Sequence, residues 1–185
     1  RERYGGFVLF VGRLVYYKGL QHLIEAMVLL PDMQLLVSGR GPLEGEYRKL
    51  ARKLGVEDRV HFLGMADDGE LQRLYAASLC LVLPSVYRSE AFGMVLGEAM
   101  SYGTPVISTE LGTGTSFINQ DGVTGFVVPP AEPGALAEKI ALLRGDEVLR
   151  SKLGKNAKER VVEKFSKVQM IDRTLALYEE LVAGS

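Results

Sequence analysis

The strongest chemical signal lies in the segment Ser85-Val86-Tyr87-Arg88-Ser89-Glu90-Ala91-Phe92-Gly93-Met94-Val95-Leu96-Gly97-Glu98-Ala99-Met100, where two carboxylates bracket seven other residues. The stretch 92–102 reads as a helix that follows an apolar strand, with Glu90 just before it and Glu98 inside it. The first amides of such a helix, near Gly93, Met94 and Val95, have no acceptor within it and carry the positive end of its dipole, so a phosphate binds there. Gly93 has no side chain to block access. Eight helical residues rise about 12 Å, beyond the roughly 5 to 10 Å between the paired carboxyl groups of a glycoside hydrolase. That span suits an extended ligand with hydroxyls at both ends and a diphosphate in the middle, which is the shape of a sugar nucleotide. The spacing also suits a helix-capping Glu90 and a Glu98 held in a structural ion pair. Beside Leu96, Ala99 and Met100 an unpaired carboxylate is costly, so Glu98 requires a partner.

A second loop, Val11-Gly12-Arg13-Leu14-Val15-Tyr16-Tyr17-Lys18-Gly19, sets Arg13 and Lys18 between a strand and a helix. The two cations can grip one pyrophosphate, although this segment alone reads more readily as two solvated basic residues on a loop. A third, Gly39-Arg40-Gly41-Pro42, also joins a strand to a helix and invites a dinucleotide reading. The third glycine of that fingerprint would fall at Glu44, and the next strand ends Phe62-Leu63-Gly64 with no acidic residue, which argues against a nicotinamide or flavin site. A tight turn whose glycines let a nucleoside approach the backbone fits better.

These loops need a frame, and the chain supplies one. Apolar runs at 7–11, 34–37, 60–63, 79–83, 106–108 and 126–128 read as strands. Most are nearly continuous in apolar residues rather than alternating, as a parallel sheet covered on both faces requires. Between them lie helical stripes: Leu20, Leu23, Ile24 and Met27; Leu71, Leu74 and Tyr75; Leu136, Ile140 and Leu143. Ser166 is an N-cap for a last helix with Val168, Ile171, Leu175, Tyr178 and Val182 on one side and Gly184 past its end. In such a sheet the ligand lies beyond the carboxyl ends of the strands, where all three loops fall.

The 185 residues suit a single domain, 1–185, and their 47% apolar and 24% charged content excludes a disordered chain. With 22 basic and 23 acidic residues the net charge is −1, so no global field holds a nucleic acid or an anionic membrane. No apolar stretch approaches the roughly 18 residues of a membrane span. The single cysteine, Cys80, lies in an apolar run, so no intrachain disulfide is possible and a reducing compartment is expected. The first residue is Arg1 and a strand begins almost at once, which points to a piece cut from a larger protein.

The residues resemble a known family. Gly12-Arg13 with Lys18-Gly19, the Gly39-x-Gly41-Pro42 turn, Arg59-Val60-x-Phe62-x-Gly64, Pro84-Ser85, Glu90-x-Phe92-Gly93 with Glu98, and Asp121-Gly122-x-Thr124-Gly125 look like the C-terminal half of retaining GT-B glycosyltransferases. The resemblance covers nearly the whole chain. It implies an α/β, Rossmann-like parallel sheet with helices on both faces, forming the nucleotide-sugar-binding half of a two-domain enzyme whose N-terminal acceptor domain is absent. It further implies that Arg13 and Lys18 neutralise the donor diphosphate, Glu98 bonds the ribose, and Glu90 bonds the donor sugar beside the reacting carbon. Arg40, Val60, Phe62 and Leu63 would frame the base, mostly through backbone groups. The acceptor would be a glycan or lipid-linked sugar, and the protein cytoplasmic, with peripheral attachment to the inner membrane through the missing half.

No metal and no cofactor are expected. Fixed cations and a helix N-terminus stabilise the leaving diphosphate in this architecture, and the chain has no Asp-x-Asp. Asp67-Asp68 reads as a helix start, and His22 and His61 are far apart. One segment departs from the family: many relatives carry Gly-Gly-x-Pro-Glu where this chain has Thr113-Gly114-Thr115-Ser116-Phe117. The run from Glu110 to Ser116 resembles bacterial mannosyltransferases of surface-polysaccharide assembly, which implies a GDP-mannose-like donor. Two other readings stay open: a sugar-nucleotide epimerase or phosphorylase half-domain, and a non-catalytic sugar-nucleotide-binding module.

Overall fold

The computed structural model describes residues 6–183, so Gly184 lies outside the described residues. Six strands, β1 (Phe7–Val11), β2 (Gln34–Ser38), β3 (Val60–Gly64), β4 (Cys80–Leu83), β5 (Val106–Thr109) and β6 (Gly125–Val128), form one sheet in the order β3-β2-β1-β4-β5-β6. Every pairing is parallel. All six expected strands are present, with ends that differ by a residue or so. The chain winds outward from β1 to β3, returns to β4 on the other side of β1, and winds outward again. Crossovers therefore leave β1 and β4 in opposite directions, and a crevice opens between their carboxyl ends.

Strand alternation divides the core between the two faces. Val8, Phe10, Leu35, Val37 and Val82 face one way, against α1 (Leu20–Ala26), α2 (Glu44–Lys53) and α6 (Pro133–Gly145). Leu9, Leu36, Leu81 and Leu83 face the other, against α3 (Asp68–Ala77), α4 (Met94–Ser101) and α7 (Glu147–Phe165). The stripes Leu20, Leu23, Ile24 and Met27 and Leu136, Ile140 and Leu143 are fully buried in the first of these layers. Cys80 is plain core, and burial pushes its thiol up to about 12. Asp67 starts α3 as its N-cap, accepting from the Glu70 amide at 2.8 Å.

Two features differ from the sequence reading. The central helix begins at Met94 rather than Phe92, because Gly93 adopts a left-handed conformation with φ 76° and ψ 57° and serves as its N-cap. Glu90 therefore lies in a loop, and a straight helical rise between Glu90 and Glu98 does not apply. The other difference is at the carboxyl end. Ser166 is extended, accepts a bond from the Gln169 amide at 3.3 Å and directs α8 (Lys167–Ala183) away from the body. Val168, Ile171, Leu175, Tyr178 and Val182 do share a helix, but all are exposed and cover no part of the sheet. No helix among the described residues is long and apolar enough to cross a membrane.

Glycines set the closest backbone approaches. A Cβ on Gly154 of α7 would sit 2.1 Å from the Gly103 carbonyl oxygen, so α7 lies directly on the turn before β5. Gly154→Ala should destabilise the fold by about 1 to 3 kcal/mol. Gly45 of α2 faces open space, so Gly45→Ala should instead stabilise by up to about 1 kcal/mol. Urea denaturation of both variants checks the opposite signs.

Candidate functional site

The loops after β1 and β4 meet backbone to backbone over the crevice. A Cβ on Gly19 would lie 1.9 Å from the Pro84 carbonyl oxygen, and the Val86 amide donates to the Tyr17 carbonyl at 2.8 Å. Leu14, fully buried, anchors the first loop in the core, and its amide donates to the Arg40 carbonyl at 3.0 Å. Tyr47 reaches from α2 to the Val15 carbonyl at 3.3 Å, and burial pushes its phenol up to about 12, so it stays a donor. The space beside Gly39 and Gly41 is filled by the carbonyl oxygens of Gly12 and Leu14, 1.9 and 2.3 Å from the positions their Cβ atoms would take. Those glycines serve loop-on-loop packing, which differs from the expected close approach of a nucleoside.

Across this junction Lys18 Nζ lies 2.5 Å from Glu90 Oε2, with both side chains largely buried at 13% and 9% exposure. Ser85, itself fully buried, donates to the same carboxylate oxygen at 3.0 Å. Thr113 donates to the Glu90 carbonyl at 2.9 Å, and the Gly114 amide donates to the Ala91 carbonyl at 2.8 Å. Thr109 donates to the Ser85 carbonyl. The loop after β5 thus clamps the loop that carries Glu90. Glu110 braces that clamp by accepting from the Gly112 amide at 2.7 Å and the Ser116 hydroxyl at 2.8 Å. The Gly112 amide, and then the Ser116 hydroxyl, hold its carboxyl below the usual range.

Downstream, the amides of Gly93, Met94 and Val95 head α4 with no acceptor inside the helix, as expected. A Cβ on Gly93 would strike Leu83 and Leu96 at 2.8 and 2.9 Å, so this glycine is required by packing and backbone conformation rather than by access. Glu98 has the partner it needed: Tyr75 of α3 donates to its Oε2 at 2.7 Å. Burial first, and then the Glu98 bond, push the Tyr75 phenol upward. Glu98 nonetheless faces solvent, in a cavity of about 330 Å³ that it shares with Asp68, Leu71 and Tyr75.

A neighbouring cavity of about 340 Å³ joins the first at Leu71 and is lined by Gly12, Arg13, Ser38, Arg40, Met65 and Leu71, among others. Arg13 and Arg40 are exposed there, and neither has a side-chain hydrogen bond or ion pair among the described residues. The structure therefore brings Gly12, Arg13, Lys18, Arg40, Glu90, the head of α4 and Glu98 to the carboxyl end of the sheet. It does not bring Val60, Phe62 or Leu63 to the cavity. Val60 begins β3, at the far end of the strand, and is buried in the core. Phe62 packs on the α2 side beneath Arg48, whose Cζ is 4.5 Å from the ring centroid, and Leu63 packs into the α3 and α4 layer. Met65, Ala66 and Leu71 line the wall instead, because the loop after β3, rather than the strand, reaches the crevice.

The fold and this site define a class before any particular relative is considered: an open α/β domain with a crevice at its switch point, edged by cations and a helix N-terminus. Residues 5–160 match the glycosyl transferases group 1 family, and the chain belongs to that family. O-antigen chain mannosyltransferase C of Escherichia coli is 42% identical over 183 residues, covering 98% of this chain and 49% of that protein. The solved C-terminal domain of a glycosyl transferase group 1 family protein from Francisella tularensis is 28% identical with a TM-score of 0.78, covering 90% of each chain. HepE of Anabaena, solved in complex with UDP and glucose, is 29% identical with a TM-score of 0.83, covering 93% of this chain and 48% of that one. The fold is that of one half of the GT-B architecture, and the chain spans about half the length of the curated relatives it matches.

Two outcomes follow from the geometry. Lys18→Met and Glu90→Gln should each destabilise the protein, because either leaves the remaining partner of a nearly buried pair uncompensated. A double-mutant cycle in urea should show a coupling above about 1 kcal/mol, whereas additive effects would mean the pair does not form in solution. Glu110, with its folded value depressed, adds stability above the unfolded carboxyl value of about 4.3 and loses it as pH falls through the lower folded value. Between neutral pH and about pH 3, the wild type should lose more of its urea midpoint than Glu110→Gln does.

Proposed function

We propose that this chain is the donor-binding half of a retaining glycosyltransferase that moves a hexose from a GDP-mannose-like nucleoside diphosphate sugar to a glycan or lipid-linked acceptor. The observation that carries the reading is the placement of Arg13, the Lys18–Glu90 pair and the head of α4 together at the carboxyl end of the sheet, at the β1/β4 switch point. An anionic diphosphate beside a neutral, hydroxyl-rich group fits that mixture of charges. The complex of HepE with UDP and glucose and the mannosyltransferase named among the relatives support the ligand class.

The chemistry follows from these groups. As the bond from the anomeric carbon to the diphosphate breaks, charge builds on the leaving oxygens, and Arg13, Lys18 and the α4 amides stabilise it without a divalent metal. Glu90 accepts a hydroxyl of the donor sugar and so holds the anomeric carbon against the acceptor. Glu98 bonds the ribose at the other end. Lys18 shares its charge between Glu90 and the arriving diphosphate, which links sugar recognition to diphosphate recognition. The acceptor is supplied by the other half of the full-length enzyme, at the cytoplasmic face of the inner membrane. This half alone transfers no sugar, since positioning of the acceptor supplies roughly 7 to 11 kcal/mol that a one-sided cleft lacks.

Calorimetry in EDTA should show nucleoside diphosphate binding to the chain, and Arg13→Ala should weaken it about tenfold or more. In the full-length enzyme Glu90→Gln should leave affinity for the bare diphosphate at or above the wild-type level, because Lys18 is released. The same variant should cut turnover by about a hundredfold or more. Glu98→Gln should weaken the nucleotide. A strict magnesium requirement, or intact turnover in Glu90→Gln, would overturn the assignment.

A further inference from the structure

The two carboxylate oxygens of Glu90 have different surroundings. Lys18 Nζ, at 2.5 Å, and Ser85 Oγ, at 3.0 Å, both donate to Oε2. Oε1 has no hydrogen-bond partner among the described residues. Yet no buried side-chain nitrogen or oxygen among those residues lacks a partner, so Oε1 is not buried. Glu90 as a whole is only 7% exposed, and part of that exposure falls on Oε1. One oxygen is therefore committed to the fold, while the other is presented to solvent at the carboxyl end of the sheet.

The two donors to Oε2 are not equivalent. Lys18 is a long, flexible cation, and an arriving diphosphate would compete with Glu90 for its charge. Ser85 has no such freedom. It is fully buried, and the backbone around it is tied on three sides: the Pro84 carbonyl lies against Gly19, the Ser85 carbonyl accepts from Thr109, and the Val86 amide donates to the Tyr17 carbonyl at 2.8 Å. A serine so placed has only one side-chain torsion and its hydroxyl proton to adjust. Being neutral, it is not drawn toward a phosphate. When Lys18 turns to the diphosphate, Ser85 still holds Oε2 through a charge-assisted bond and keeps Oε1 aimed outward.

We propose that Ser85 is a positioning residue for Glu90, and that Glu90 in consequence reads a single hydroxyl of the donor sugar through Oε1 rather than a neighbouring pair through both oxygens; this rests on the donor-binding reading above. A free carboxylate can take two adjacent hydroxyls, one on each oxygen. Here Oε2 already accepts from a hydroxyl and an ammonium, which leaves the ligand one oxygen. The sugar hydroxyl that meets it is the donor of that bond. Specificity at this end of the site therefore rests on one hydroxyl position, and a hexose lacking it would leave Oε1 unpaired in the closed complex.

The test uses the full-length enzyme with GDP-mannose and its monodeoxy analogues as donors. Turnover, and calorimetric affinity for bare GDP, are measured for wild type, Ser85→Ala, Glu90→Gln and the double variant, with thermal melts to confirm folding. Ser85→Ala should lower kcat about tenfold or more while GDP affinity stays within about twofold of wild type. In the Glu90→Gln background the same change should cost less than about twofold, because Ser85 acts through Glu90. Among the analogues, one hydroxyl alone should couple to both residues: its removal should slow the wild type strongly and either variant much less. Wild-type kcat in Ser85→Ala, a loss additive with that of Glu90→Gln, or equal coupling to two hydroxyls would overturn this inference and leave the donor-binding reading standing. If the wild type turns over no GDP-mannose, both fall. Should Ser85→Ala fail to fold, the coupling of Glu90→Gln to one hydroxyl or to two decides between the outcomes.

Discussion

Everything at the crevice depends on how closely two loops approach each other. The turn after β1 can lie against the turn after β4 only because Gly19 has no side chain facing the Pro84 carbonyl. That contact puts an ammonium from one loop against a carboxylate from the other, and the result is the Lys18–Glu90 pair. In bulk water such a pair would contribute little. Here both partners are shielded and Ser85 fixes the carboxylate, so the pair holds the two loops in register. The same pair places a charge of each sign at the point where the strand order reverses.

The loop after β5 extends this arrangement. Thr109, Thr113 and Gly114 each bond the backbone of the β4 loop, so the segment from Ser85 to Ala91 is held from both sides. A short helix, α4, then starts with free amides at a position set by the left-handed Gly93. The crevice is therefore edged by backbone amides of α4 on one element and by the cations Arg13 and Lys18 on another.

The α8 helix belongs to a different regime. Its apolar residues are exposed, and its junction with α7 lies beside an aromatic group in which Phe92 and Phe117 both meet Phe165 edge-on, with centroid distances of 5.8 and 5.7 Å. Arg160 covers Phe117 and Phe165 and caps the short helix α5 (Gly114–Ile118) by donating to the Phe117 and Ile118 carbonyls. The end of α7 is in this way tied to Phe92, the residue before the Gly93 cap, so the helix start and the departure point of α8 share one packed cluster.

The strands and the stripes on α1 and α6 were legible in the chain because a buried parallel sheet demands continuous apolar runs and one-sided helices, and both are local patterns. The crevice positions of Arg13, Lys18, Gly93, Glu90 and Glu98 were legible for a related reason: each lies within a few residues of a strand end or helix start that the pattern already marks. Distances through space were not. Nothing local shows that Lys18 meets Glu90, 72 positions away, or that Tyr75 rather than a cation satisfies Glu98. The cavity expected to be framed by Val60, Phe62 and Leu63 is walled by Met65, Ala66 and Leu71, because strand parity and burial direct those three side chains into packing while the following loop turns toward the crevice. Gly39 and Gly41 were identifiable as special, yet the reason is packing between segments distant in sequence. Periodicity governs which face a residue takes, whereas the contact it makes there depends on how the crossovers bring separate segments together.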